Sequence, residues 1–483
     1  MPQAIRESMQ TGVSAAMGAS SPLHQSLPRL TKKILTLSLY AIVPLALLFY
    51  LLSPPPIAGL SSTATSPPND NHLKGEEQRG ARTAALAAAR KQQGRKASPA
   101  PETRCDYSDG EWVPNAAGPR YNGTSCGATI KDGQNCVVNG RPDTGYMYLR
   151  WQPRGCALPP FAPAEFLELV RGRHVAFVGD SLARNQCESL VCLLGSEFPA
   201  DMVHDGGEER KFRRWAFKSH DATVSVFWSP FLVNGTEKSA SPGAGGLDHN
   251  RIYFDQPDER WAAEVPGMDV VVLSFGQWFL QPAMYYDRGG AVIGCHHCPE
   301  PNRTETGFFG VFRLAVKNAL GEVIARSRSS AGREKLAVLT TFSPAHFVGE
   351  WDSPDACTRT EPYVPGEMEM SYMHKEMWRT GAEEAAAAAA AARSRGSAVT
   401  VEALEVTRLA DMRADGHPGP YFHAFPFAGD GGGRKRERRV PNDCVHWCLP
   451  GPIDTWNEIL LQIVKRWRKN ASSSAPPPHD APP

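Results

Sequence analysis

Three residues in two distant parts of the chain hold the groups that nucleophilic catalysis needs: Ser181, and Asp443 with His446. Ser181 follows Gly179 and Asp180 at the end of the apolar run Val175-Ala176-Phe177-Val178. From Leu182 onward the apolar residues fall at helical spacing, so the serine sits on a strand-to-helix turn. A hydroxyl there is presented at the carboxyl edge of a sheet, and the N–H groups of the helix start can stabilise an oxyanion. Capping an ordinary helix is the competing role for such a serine. A nucleophilic serine also needs a base and a group to orient that base. Asp443-Cys444-Val445-His446 offers both, three residues apart, so that one turn sets carboxylate beside imidazole. A surface ion pair is the alternative for such a pair.

Other residues near these stretches qualify as substrate or oxyanion contacts. Gly179, Asp180, Arg184 and Asn185 flank the serine. Gly276-Gln277-Trp278 closes the apolar run Val270–Phe275, and the Gly276 N–H is a candidate second oxyanion donor. Trp278 and Trp228 end strands and suit either sugar stacking or core packing. His417, in the turn-rich Asp415-Gly416-His417-Pro418, either lines an acceptor groove or satisfies loop backbone; His174 reads as structural. Two clusters have zinc-like chemistry: Cys444, His446 and Cys448, and Cys295, His296, His297 and Cys298. Neither has paired zinc-finger spacing, and an oxidising compartment favours disulfides over thiolate ligands.

The elements that must position these groups read as α/β. Val175–Val178, Thr223–Trp228, Val270–Phe275, Leu336–Phe342 and Val399–Val406 are β-rich apolar runs. Gly310–Ala325 carries a helical pattern, and strands separated by helices imply a mostly parallel sheet with helices on both faces. Ligands in such sheets bind at the carboxyl ends of strands, where Ser181 falls. The alanine run Ala385–Ala392, with Glu383 and Glu384 before it and Arg393 and Arg395 after it, reads as a surface helix whose charges suit its dipole. The basic stretch Gly431–Arg439 reads as a solvated loop.

Residues 34–52 are nineteen in a row without a charge, enough to cross a bilayer as a helix. Arg29, Lys32 and Lys33 precede them and no charge follows until Asp70, which puts the N-terminus in the cytosol. The expected organisation is a cytosolic tail (1–33), a transmembrane signal anchor (34–52), a disordered stem (53–104), a Cys-rich, loop-rich lobe (105–160), a catalytic domain (161–469) and a disordered tail (470–483). All eleven cysteines follow the apolar span, as in an oxidising lumen. Four glycosylation sequons, at Asn122, Asn234, Asn302 and Asn470, agree. A net charge of +1 gives no electrostatic case for nucleic acid.

Cys105-Asp106-Tyr107-Ser108-Asp109-Gly110-Glu111-Trp112, the Gly-Asp-Ser block from Gly179 to Gln186 and the Asp-x-x-His block from Asp443 to Cys448 stand in one order. Together they resemble the plant trichome birefringence-like family, of the GDSL/SGNH (PC-esterase) type. The finer wording, in Tyr121–Cys126, Ile130–Cys136 and Asp415–Tyr421, is similar to its altered-xyloglucan branch. The resemblance implies an SGNH-like three-layer sandwich with a disulfide-tied N-terminal lobe. It implies a single-pass type II Golgi membrane protein, held through Ile34–Leu52, whose lumenal domain O-acetylates xyloglucan. Ser181 would be nucleophile, His446 base and Asp443 its orienting carboxylate. No bound cofactor or metal is implied; an acetyl donor is the co-substrate and the polysaccharide the acceptor. The implied disulfides are Cys105–Cys156, Cys126–Cys192, Cys136–Cys448 and Cys357–Cys444, with Cys295–Cys298 closing locally and Cys187 left free. The same triad would also serve an acetylesterase or a transferase for xylan, mannan or pectin, and a polysaccharide-binding protein with a vestigial triad is the non-catalytic alternative.

Overall fold

The computed structural model describes residues 105–206, 210–239, 246–327, 333–428 and 439–474. The expected cytosolic tail, membrane anchor and stem, the end of the C-terminal tail and nearly all of the basic stretch lie outside the described residues. Among the described residues no helix is long and apolar enough to cross a membrane.

Thirteen strands are described: β1 (Gly110–Pro114), β2 (Leu149–Pro153), β3 (His174–Gly179), β4 (Asp201–Gly206), β5 (Phe212–Phe217), β6 (Ala222–Trp228), β7 (Val233–Thr236), β8 (Asn250–Pro257), β9 (Val270–Ser274), β10 (Ala283–Tyr286), β11 (Val292–His296), β12 (Lys335–Thr340) and β13 (Val399–Leu404). The helices are α1 (Pro163–Leu169), α2 (Ser181–Gly195), α3 (Glu259–Ala262), α4 (Phe309–Arg326), α5 (Tyr372–Ser394), α6 (Thr407–Asp411) and α7 (Asp454–Ser474).

The main sheet runs β13-β12-β9-β3-β6-β5-β4. Its first five strands are mutually parallel, and they are the five apolar runs of the sequence. Alternation along those strands builds two cores. Val175, Phe177, Val270, Val272, Leu336 and Val338 face one side with Leu190 and Leu194 of α2 and Trp456 and Leu460 of α7. Ala176, Val178, Val271, Leu273, Ala337 and Leu339 face the other with Ala315 and Val323 of α4 and Met377 and Ala385 of α5. The result is the three-layer arrangement expected. From central β3 the chain passes to β4 at the far edge, comes back in through β5 to β6 beside β3, and then lays β9 on the other side of β3. The order therefore reverses between β3 and β9, which opens a crevice at their carboxyl ends.

Four features depart from the expectations. Strands β4 and β5 extend the sheet antiparallel, and a second mixed sheet, β11-β10-β8-β7, lies outside the five runs. Helix α5 starts at Tyr372, capped by Ser371, so Glu383 and Glu384 lie mid-helix and cannot serve its N-terminal dipole. They instead pair with Arg313 of α4 at 2.8 and 2.7 Å. Met377, Ala385 and Ala392 are buried on the sheet, so the alanine helix has a packed face as well as a solvated one. Helix α7 continues to Ser474, past the boundary expected at 469.

The N-terminal lobe pairs β1 with β2 and is tied by cysteine bonds. All five implied disulfides form, and Cys187 is a buried free thiol. Asn122, Asn234, Asn302 and Asn470 are all exposed.

Candidate active site

Residues 179–181 turn the chain sharply from β3 into α2. Gly179 has φ +152°, and a Cβ there would lie 1.8 Å from the Ser274 carbonyl oxygen, so no other residue fits. Asp180, not Ser181, is the cap: its Oδ1 accepts from the Leu182 N–H at 2.9 Å. Ser181 occupies the first helical position, half-buried, and owes nothing to capping. The capping alternative for the serine is thereby removed.

Asp180 has a second task. Its Oδ2 accepts from the Gly276 N–H at 3.0 Å, which fastens the β3 end to the β9 end across the crevice. Burial pushes the Asp180 carboxyl up to about 6, against the N–H groups and the nearby His446, which favour the charged form. This corrects the role expected of Gly276: its N–H is engaged by Asp180 and is no open oxyanion donor. Its φ of +150° and a Cβ that would meet Phe342 at 2.7 Å still demand glycine. The Ser181 N–H, with no intrahelical acceptor at its position, is the donor that the helix start leaves for an oxyanion.

The segment from Val440 to Pro452 brings the candidate base. His446 Nδ1–H donates to Asp443 Oδ2 at 2.7 Å, while Asp443 Oδ1 accepts from the Val445 and His446 N–H groups at 3.0 and 2.9 Å. Burial alone would raise the Asp443 carboxyl; the His446 imidazole and the two N–H groups instead hold it well below the usual carboxylate range. The pair is therefore no surface ion pair: each side chain is only 12% exposed. Since Nδ1 carries the proton, Nε2 holds the lone pair of a general base. Nε2 is buried and has no hydrogen-bond partner among the described residues, so the serine–histidine bond is not formed in this state. Such bonds commonly tighten only once substrate is bound.

Asn185, one turn along α2 from Ser181, fixes where His446 stands. Its Oδ1 accepts from the Trp447 N–H at 2.8 Å and its Nδ2 donates to the Trp447 carbonyl at 3.2 Å. Both polar atoms of Asn185 are thus spent on the backbone next to His446, which makes it a positioning residue rather than an oxyanion contact. Disulfides hold the residues two before and two after the histidine, Cys444 to Cys357 and Cys448 to Cys136. Those bonds also withdraw the cysteines from the zinc set with His446, and Cys295–Cys298 withdraws the other. Among the described residues no group of three His, Cys, Asp or Glu is arranged to hold a metal.

The remaining candidates are placed as follows. Arg184 is buried, 5.5 Å from the Trp228 ring centre and facing the buried Glu188, so it packs within the fold and does not line a groove. Gln277 is half-buried and its Nε2 donates to the Ser343 carbonyl at 2.7 Å. Trp228 is buried, its Nε1 bonded to Glu237, which leaves it to the core; Trp278, edge-on to it at 6.1 Å, is half-buried. His417 is buried behind the catalytic segment, stacked on Trp447 at 4.2 Å, and so lines no acceptor groove. His174 bonds Ser225 Oγ at 2.6 Å and is structural.

Sequence reasoning missed His346, which bonds His417 Nε2 at 2.7 Å through its Nδ1. Its signal was available: it lies just past the carboxyl end of β12, on the edge where parallel sheets place functional residues. It also missed Ser343, whose Oγ accepts from Trp447 Nε1 at 3.2 Å.

Comparison with known proteins agrees with this geometry. Residues 158–463 match the GDSL/SGNH-like acyl-esterase family found in Pmr5 and Cas1p, and residues 103–157 match the PMR5 N-terminal domain. The chain is 54% identical over 366 residues to xyloglucan O-acetyltransferase 2 of Populus trichocarpa, covering 76% of this chain and 83% of that one. It is 49% identical over 368 residues to xyloglucan O-acetyltransferase 1 of Arabidopsis thaliana, covering 76% and 82%. Protein trichome birefringence-like 25 of Arabidopsis thaliana is 39% identical over 367 residues, with 75% and 77% covered.

Proposed function

The chain belongs to the GDSL/SGNH-like acyl-esterase family found in Pmr5 and Cas1p, and we propose that it is an O-acetyltransferase that esterifies a hydroxyl of xyloglucan through an acetyl-serine intermediate. The observation that carries this reading is the Asp443–His446 pair. Its Nε2 lone pair is unspent, and Asn185 bolts it to the helix that Ser181 opens. The xyloglucan acceptor rests on the names of the relatives, which cover most of the chain.

In the first step His446 Nε2 takes the Ser181 hydroxyl proton as Oγ attacks the acyl carbon of the donor. The Ser181 N–H stabilises the tetrahedral oxyanion. Collapse expels the donor's leaving group, which takes the proton from His446, and leaves acetyl-Ser181. In the second step a sugar hydroxyl attacks that ester and gives its proton to Nε2. The acetyl passes to the sugar and Ser181 recovers its proton. Asp443 keeps the imidazole in the Nδ1–H tautomer throughout and offsets the charge of the imidazolium. Water competes in the second step, so the acceptor must be held close and solvent limited. The reaction needs no bound cofactor or metal, only the acetyl donor as co-substrate.

We place the catalytic domain in the Golgi lumen, as a type II glycoprotein anchored through Ile34–Leu52. Five disulfides and four exposed sequon asparagines support an oxidising lumen. The test is incubation of the full chain with an acetyl donor and a xyloglucan oligosaccharide, beside Ser181→Ala and His446→Ala. Acetylated sugar from the wild type and none from either variant is expected. Free acetate alone would identify an esterase, binding without turnover a polysaccharide-binding protein, and equal activity of Ser181→Ala would remove the nucleophile.

A further inference from the structure

Behind the catalytic segment two imidazoles form an unbroken chain between two main-chain carbonyls. His417 Nδ1 lies 2.7 Å from the carbonyl oxygen of His446, the proposed base itself. His417 Nε2 lies 2.7 Å from His346 Nδ1, and His346 Nε2 lies 2.8 Å from the carbonyl oxygen of Asp411. A carbonyl oxygen only accepts, so each outer nitrogen must carry a proton. The central nitrogen–nitrogen contact needs one more. Three bonds thus require three protons, whereas two neutral imidazoles hold two. With every bond made the pair carries one positive charge; with no charge, one of the three bonds is lost.

We propose that the His346–His417 pair is a proton-dependent brace on the catalytic loop. Loaded with its third proton, it ties the His446 backbone to the Asp411 backbone; unloaded, it releases one of those ties. Both histidines are positioning residues, acting through the main chain of His446, and the activity readout rests on the acyl-transfer reading above.

The surroundings decide when the proton binds. The carboxyl groups of Asp411, Asp415 and Asp443 favour the charge. So does the Trp447 indole, stacked on His417 with ring planes 25° apart. Arg141 and His374 oppose it: Arg141 donates to the His417 carbonyl at 2.6 Å, and His374 is paired with Asp411 at 3.0 Å. The Tyr363 ring, 6.5 Å from His346, adds no charge. Burial opposes it most, pulling His346 below the ordinary imidazole value and His417 well below. The brace accordingly closes as pH falls on the acid side of neutrality and opens as pH rises.

The test compares wild type with His346→Gln and His346→Phe in the full chain. A glutamine amide has two N–H groups. One can donate to His417 Nε2 and the other to the Asp411 carbonyl, while His417 Nδ1–H serves His446, so every bond is met without an added proton. Relative to His346→Gln, wild-type kcat/KM is expected to match at the acid end and to fall about three- to ten-fold as pH rises on the acid side of neutrality, the weight of one hydrogen bond. His346→Phe should be low at every pH. Parallel profiles of wild type and His346→Gln between about pH 5 and 8 would overturn the brace. A second readout needs no activity: ring-nitrogen NMR of the histidine-labelled full chain should show the pair gaining one proton on acidification. Constant protonation across that range would equally overturn it. If Ser181→Ala were active, the acyl-transfer reading would fall, and the ring-nitrogen spectrum would still decide the brace.

Discussion

Asp443→Asn separates orientation of the base from its presence. The carboxylate accepts three bonds, one from His446 Nδ1 at 2.7 Å and two from backbone N–H groups. An asparagine can keep its oxygen on the two N–H groups through Oδ1, so the turn survives. Its NH2 then faces Nδ1 and forces the lone pair there, which puts the proton on Nε2. That tautomer cannot accept the serine proton. The analogous change in a serine triad lowers kcat by about 10⁴-fold, or about 5.5 kcal/mol of transition-state stabilisation. Here the penalty should approach that figure, because the pair is nearly buried and solvent can do little to restore the other tautomer. The assay is acetyl transfer to xyloglucan oligosaccharide under saturating donor, with the melting temperature measured in parallel. The expected result is a drop in kcat of about 10³–10⁴-fold with KM for the acceptor little changed. A loss of less than ten-fold in a folded protein would refute the role of Asp443 in selecting the tautomer.

Other consequences follow from the same geometry. Asn185→Leu leaves the Trp447 N–H and carbonyl unpaired in a buried site, a cost of about 2–6 kcal/mol for the two groups, readable by urea denaturation. In whatever fraction folds, kcat should fall more than acceptor KM rises, since the loop bearing His446 loses its tie to α2. Gly276→Ala places a methyl against Phe342 and strains a φ of +150°, so both the melting temperature and kcat should decline; an unchanged melting temperature would contradict the close packing. Glu458, on α7 next to the Phe161 backbone, is pushed up to about 7, burial being the largest cause. Its folded-state value lies above the unfolded one, so its contribution is fully present below the unfolded value and is lost as pH rises through about 7. The wild-type melting temperature should therefore fall relative to Glu458→Gln over that rise, and parallel curves would contradict the assignment.

The central sheet was legible because its parallel strands are buried on both faces and appear as unbroken apolar runs. Helix α4 was legible by its spacing. The antiparallel strands were not: β4 is exposed along nearly its whole length, and β7 and β8 mix buried with exposed positions, so neither presents a run. Helix α5 was read only from its alanines because its first turns, Tyr372 to Arg379, mix apolar with charged residues and gain their place by Met377 packing on the sheet. At the site, residue type and order pointed to Ser181, Asp443 and His446, and the disulfide pairs came from the family resemblance. What composition could not convey was which polar atoms are already spent. Gly276 N–H is taken by Asp180, both ends of Asn185 by Trp447, and His417 by His346 and the His446 carbonyl. Those bonds join segments separated by up to 262 residues, and no local pattern encodes such pairings.

The central claim is that acetyl rests on Ser181 between donor and sugar. The most direct measurement is intact and peptide mass spectrometry of the full chain quenched after mixing with acetyl donor in the absence of acceptor. One acetyl group on the peptide bearing Ser181, discharged when xyloglucan oligosaccharide is added and absent from His446→Ala, is the predicted result. Turnover with no acetyl on Ser181, or acetylation that persists when the oligosaccharide is added, would contradict it.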